Sequence, residues 1–170
     1  ASTDLASDAA ASLIAAGVDA IVGPATSAVT LEVLDTVTRA GVVLFSPSNT
    51  ATVLSTLPDR GLYFRNIASD LLQAEALAQV IADRGNTSAF LLVIDDPYGL
   101  GVADQLTISL ARRNVTIVGS VAYDPGRPTF FDLARAARDA NPDAVVLTSF
   151  GEASLLLRAL VASGMGPRQK

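Results

Sequence analysis

Between Ile21 and Thr50 the sequence runs from apolar to Gly-Pro, through a helical period, back to apolar and on to Ser-Pro-Ser-Asn-Thr. Few folds accept that order. The apolar run Ala20 to Val22 stops at Gly23-Pro24, and Ala25-Thr26-Ser27 leads into a segment in which Val29, Val33, Leu34 and Val37 share one helical face. Val42 to Phe45 is a second apolar run, broken at Ser46-Pro47-Ser48-Asn49-Thr50. Two parallel strands joined by a helix would set these hydroxyl-rich turns side by side at their carboxyl ends, where open α/β sheets take ligands. The amides opening the helix lack internal acceptors, so with the Ser27 hydroxyl they offer a place for an anion.

The same alternation continues down the chain. A first helix with Leu5, Leu13 and Ile14 facing inward is expected to stop at Gly17, before a strand over Val18 to Val22. Residues 51–60 are turn-rich, and Leu62 to Ile67 is a short extended piece. Ser69 is placed to cap a helix running to Arg84, with Leu72, Ala76 and Val80 at helical spacing. Ala89 to Ile94 reads as a buried strand, ended by Asp95-Asp96-Pro97-Tyr98-Gly99, and the next helix carries Val102, Leu106 and Leu110. Then come strand Val115 to Val121, turn Asp124-Pro125-Gly126, helix Phe130 to Ala140, strand Ala144 to Leu147 and helix Ala153 to Ser163. Such βαβαβα order makes a parallel sheet with right-handed crossovers. Because a doubly wound lobe ordinarily opens on a strand and this chain opens on a helix, it is expected to be part of a longer protein.

Composition narrows the function. Half of the 170 residues are hydrophobic and the mean hydropathy is +0.42, enough for the core of one large domain or two small ones. A net charge of −5 with scattered arginines gives no basic stripe, so nucleic acid is not an expected partner. Cysteine and histidine are both absent, which removes Ser-His-Asp and Cys-His catalysis and zinc held by those residues. An enzyme built on this chain would depend on carboxylates. Asp95, Asp96 and Asp124 at strand ends could hold Mg²⁺, which keeps a doubly wound Mg²⁺-dependent enzyme as an alternative. No phosphate loop accompanies them, since Gly99-Leu100-Gly101 lacks the third glycine of a dinucleotide fingerprint. No apolar run is long enough to cross a membrane, so any export signal or lipid anchor would lie upstream of Ala1.

Read from the residues alone, Ser27 is an N-cap, Ser46 to Thr50 a proline-stiffened turn, Tyr98 a cover on the sheet end and Glu152 compensation for a helix dipole. A resemblance adds to this. Gly23-Pro24-Ala25-Thr26-Ser27, Ser46-Pro47-Ser48-Asn49-Thr50, Asp95-Asp96-Pro97-Tyr98-Gly99-Leu100-Gly101 and Asn141-Pro142-Asp143-Ala144-Val145-Val146 follow the order and spacing of one family. In these segments the chain resembles the type I periplasmic solute-binding proteins, specifically the branched-chain amino-acid receptors of ABC importers.

The resemblance implies an α/β fold of doubly wound parallel sheets, forming parts of the two lobes of a Venus flytrap. Residues 1–67 would belong to lobe I and 68–170 to lobe II, with a small ligand held between them. Ser27 would bind the ligand's α-carboxylate, the Ser48 carbonyl its ammonium, and Thr50 would add its hydroxyl and amide. Tyr98 would close over the ligand from lobe II, and Phe150 would line the pocket without the hydroxyl that a tyrosine brings. The resemblance implies no cofactor and no catalysed reaction, an ABC permease as partner and an extracytoplasmic location. A ligand-sensing domain of a signalling or regulatory protein is a further alternative on the same fold. The family's acidic residue for the ammonium, and a pocket aromatic near its amino terminus, fall outside residues 1–170, so this chain is expected to bind amino acids weakly or not at all. With two strands recognisable in lobe I, Val18 to Val22 and Val42 to Phe45, the chain is also expected to self-associate through that half.

Overall fold

The computed structural model describes residues 3–166, which form two compact units divided between Leu72 and Gln73. In the first unit, β1 (Ala20–Val22), β2 (Val43–Ser46) and β3 (Tyr63–Arg65) make a parallel sheet in the order β1-β2-β3. Its third strand falls in Leu62 to Ile67, the stretch whose pattern predicts only a short extended piece. Three residues ending in an arginine carry too little pattern to announce a strand, and pairing with β2 supplies what the pattern lacks.

α2 (Ser27–Arg39) joins β1 to β2 and buries Val29, Val33, Leu34 and Val37, the face its valine spacing predicts. Leu44 and Tyr63 meet this face from the sheet, and Val42, Ala51 and Leu54 close the core. α1 (Thr3–Ala15) packs on α2 through Ala6, Ala10 and Ile14. Of the inward residues expected there, only Ile14 is correct: Leu5 and Leu13 are 70% and 41% exposed. Alanines four residues apart let two helices approach closely, and that stripe outcompetes the bulkier leucines beside it.

In the second unit β4 (Ser88–Ile94) lies between β5 (Thr116–Tyr123) and β6 (Ala144–Thr148), all parallel. α3 (Asp70–Asp83) and α4 (Pro97–Ala111) pack on Leu91 and Val93 of β4 through Ala74, Ala78 and Ile81 and through Val102, Leu106 and Leu110. α5 (Phe131–Ala140) and α6 (Ala153–Ala162) meet Phe90, Leu92 and Ile94 with Leu133, Ala134 and Ala137 and with Leu156, Ala159 and Leu160. A central strand apolar on both faces is what such a sheet requires. α3 is rotated from its expected phase, since Leu72 and Val80 are 59% and 50% exposed while Ala74 and Ala78 are fully buried.

At the amino ends of β4 and β6 a single carboxylate oxygen fastens the sheet. Asp143 Oδ2 accepts the Thr87 amide at 2.8 Å and hydroxyl at 2.9 Å, and the Ser88 amide and hydroxyl at 3.0 Å each. These donors, the Thr87 amide first, hold the Asp143 carboxyl down at a pKa of about 2.

Candidate functional site

The expected ligand residues of the first unit stand on two turns that follow neighbouring strands. β1 ends at Gly23, whose amide donates to the Phe45 carbonyl of β2 at 2.7 Å. Gly23 has φ +123°, a conformation open to glycine and strained for other residues, and the Gly23–Pro24 bond is cis. From there the two turns are stitched together. The Ser46 hydroxyl donates to the Pro24 carbonyl at 2.8 Å and accepts the amides of Ser48 and Asn49 at 3.3 and 3.2 Å. The Ser48 hydroxyl donates to the Ala25 carbonyl at 2.7 Å, and the Ala51 amide donates to the Ser27 hydroxyl at 3.2 Å.

Ser27 is buried and is the first helical residue, with Thr26 as an extended N-cap whose side chain makes no capping bond. Capping therefore does not account for Ser27. Its hydroxyl accepts from the next turn and keeps its own proton to donate. The Thr30 amide makes the first bond of the helix, to Thr26, so the amides of residues 27–29 precede the intrahelical ladder. Thr50 is half-buried beside them in the chain's next turn, its carbonyl accepting the Asp70 amide at 2.9 Å. Helix-end amides, a serine hydroxyl and the Thr50 amide and hydroxyl can together hold a small carboxylate, while the Ser48 carbonyl is an acceptor for an ammonium.

In the second unit Tyr98 and Phe150 both follow the carboxyl ends of strands, and their rings stack with centroids 5.6 Å apart and a 32° tilt. Tyr98 is brought there by the entry to α4. Asp96 caps that helix, accepting the Gly99 amide at 2.8 Å, and a side chain at Gly99 would collide with the Ile94 carbonyl. Burial raises the Asp96 carboxyl, and the charges of Asp95 and Glu152 add to the rise. Phe150 is 47% exposed, and its amide donates to Glu152 Oε1 at 3.1 Å. The same oxygen lies 2.7 Å from the Tyr123 hydroxyl, which also reaches the Thr148 carbonyl at 2.8 Å. Burial, reinforced by Glu152, pushes the Tyr123 phenol far above its usual range and keeps it a donor.

Sequence reading gave Glu152 only a dipole role and gave Tyr123 none. Their bonds organise the turn that carries Phe150, and no spacing rule announces a tyrosine and a glutamate 29 residues apart. Asp96 and Asp124 are each engaged with local amides, Gly99 and Gly126, and no group of three or more acidic side chains able to hold a metal occurs among the described residues.

Two parallel sheets, one with helices on both faces and the other with hydroxyl-lined strand ends, define a doubly wound α/β protein. The chain belongs to the periplasmic binding protein family, whose profile it matches over residues 1–170. The Leu/Ile/Val-binding protein BraC3 of Rhizobium johnstonii is 31% identical over 148 residues, covering 85% of this chain and 40% of the relative. An ABC transporter substrate-binding protein from Desulfitobacterium hafniense, solved in complex with Leu, is 26% identical with a TM-score of 0.77, over 97% of this chain and 50% of that one. An extracellular ligand-binding receptor from Rhodopseudomonas palustris shares the fold at a TM-score of 0.91 and 23% identity, over 96% of this chain and 46% of that one. The chain spans less than half the length of the curated relatives it matches. The similarity falls to the branched-chain amino-acid receptor group, as the motifs implied.

Proposed function

We propose that the chain is part of an extracytoplasmic solute receptor of an ABC importer, binding a small amino acid or a related compound and catalysing no reaction. Ser27, Ser48 and Thr50 in the first unit fix the ligand's charged ends, and Tyr98 and Phe150 in the second face its side chain. In this reading the units are portions of lobes I and II, and an ABC permease is the partner. One observation carries it: the hydroxyl turns after β1 and β2 are bonded to each other, so the free amides of α2 and the Thr50 turn are held together before any ligand arrives. The names of the relatives, Leu/Ile/Val-binding and in complex with Leu, set the first ligands to try.

The test is a titration with leucine, isoleucine and valine read by NMR at the amides of residues 27–29 and 50, which detects even millimolar affinity. Saturable shifts at those amides are expected, with none from Mg²⁺. If none of the three amino acids moves them up to its solubility limit, the assignment of Ser27 and Thr50 to a branched-chain amino-acid site in this chain fails.

Self-association belongs to the same proposal. Val22, Phe45 and Phe64 lie in register across β1, β2 and β3 on the sheet face away from α2, with Val22 78% and Phe64 52% exposed. A second copy of the chain covers that apolar row.

A further inference from the structure

We infer that Asn49 is the positioning residue of the ligand turn, the group that sets Ser48 and Thr50 against the opening of α2. This rests on the receptor reading above. Asn49 lies between those two residues and is completely buried, yet it touches no proposed ligand atom. Its side chain uses both ends of the amide. Nδ2 donates to the Pro24 carbonyl at 3.2 Å, in the turn after β1. Oδ1 accepts the Thr30 hydroxyl from α2 and the Tyr63 hydroxyl from β3 at 3.3 Å. The Asn49 amide donates to Ser46 Oγ at 3.2 Å, and its carbonyl accepts from Arg65 Nη1 at 3.2 Å, the same nitrogen that reaches the Ala51 carbonyl at 3.0 Å. The turn after β1, α2, the end of β2 and β3 are therefore all tied to this one residue, and the Asn49 and Ala51 carbonyls, before and after Thr50, are held by one guanidinium.

The chemistry demands an amide. A carboxylate of the same shape could still accept from Thr30 and Tyr63, but its second oxygen would face the Pro24 carbonyl, acceptor against acceptor. A protonated carboxyl restores the donor. Burial raises a carboxyl's pKa, so Asn49→Asp is a variant whose fit is switched by mild acid. The ionisable side chains that bond to this residue are Tyr63 and Arg65, both of β3, and burial raises the Tyr63 phenol. The raised Tyr63 phenol stays neutral between pH 5 and 8.

The test compares the chain with its Asn49→Asp variant at several pH values between 5 and 8, following amide hydrogen exchange and a leucine titration. Protection of amides 48–51 in the variant is expected to fall about tenfold toward pH 8 and to return toward pH 5, while α1 and α2 stay protected throughout. Leucine affinity, taken as the ratio of variant to parent at each pH, is expected to follow the same course. Tyr63→Phe removes one bond to Oδ1 without creating a titrating group, so it loosens the same amides at every pH and serves where Asn49→Asp does not fold. Equal protection and equal affinity in variant and parent at pH 8 overturn the role of Asn49 and leave the receptor reading intact. If the parent itself binds no leucine, the leucine-site assignment fails, and the amide measurement alone decides whether Asn49 sets the turn.

Discussion

The buried Ser27 hydroxyl accepts the Ala51 amide at 3.2 Å, so the residue that opens α2 is also a clasp on the loop after β2. Removing it has two consequences. Ser27→Ala orphans a buried amide, and the first unit is expected to lose about 1–3 kcal/mol of stability. The same change takes a donor from a carboxylate ligand, and leucine affinity is expected to fall by about 1–2 kcal/mol. Urea unfolding and calorimetric titration measure the two effects separately. An unchanged affinity in a folded variant would remove Ser27 from the ligand site.

Tyr98 offers a contrast between two variants. Tyr98→Phe keeps the ring against Phe150 and loses only the hydroxyl, to which Gln73 donates at a long 3.5 Å. Tyr98→Ala also loses the stacked pair, about 0.5–1.5 kcal/mol beyond the buried area. Leucine titrations are expected to rank alanine below phenylalanine and phenylalanine below the parent. Identical affinities in all three would make Tyr98 a purely structural cover.

At Gly99 the constraint is steric. A methyl group there meets the Ile94 carbonyl oxygen and side chain, and backbone cannot step aside as a flexible side chain would. Gly99→Ala is expected to destabilise the second unit by about 3 kcal/mol, the upper range for overpacking. Thermal denaturation checks this, and a change below about 1 kcal/mol would show that the entry to α4 can shift.

The pH dependence centres on Asp143, whose pKa is depressed to about 2 by the amides and hydroxyls of Thr87 and Ser88. A depressed folded pKa gives stability that is present above the unfolded value, about 3.9, and is lost as pH falls through about 2. Asp143→Asn is thus expected to lower the melting temperature at pH 7, with the gap from the parent closing as pH falls from about 4 toward 2. A gap that stays constant across that window would mean the carboxylate charge is irrelevant to the fastening.

Self-association through the open face of the first sheet is tested by charge. Val22→Lys and Phe64→Lys place ammonium groups on the row that Phe45 completes. Light scattering is expected to show the parent chain above monomer mass at micromolar concentration and the double variant at monomer mass. A monodisperse parent monomer would end this part of the proposal.

How much could be read from the sequence depended on contrast. In α2 four apolar residues stand against Glu32, Asp35 and Arg39, so the phase of the helix is legible in the sequence. In α3 the residues Leu71, Leu72, Ala74, Ala76, Leu77, Ala78, Val80 and Ile81 leave apolar groups on most sides, and only packing decides that the alanines turn inward. Ser27, Ser48 and Thr50 were nominated because their hydroxyl turns follow apolar strands and match a family motif, and the structure bonds the two turns to each other. Asn49, Arg65 and Tyr63 were not, because their value lies in bonds between segments 14 to 25 residues apart.

The Asp143 fastening lies where β4 and β6 begin, whereas Tyr98 and Phe150 follow the ends of strands β4 and β6. Foundation and proposed ligand-facing surface are thus at opposite poles of one sheet. Residues 98 and 149–151 can be rewritten, to accept a different side chain, without loosening the bonds that hold the strands in register. If the proposed receptor reading holds, a sheet anchored in this way can be retuned by evolution or by a library at one pole, at little risk to the other.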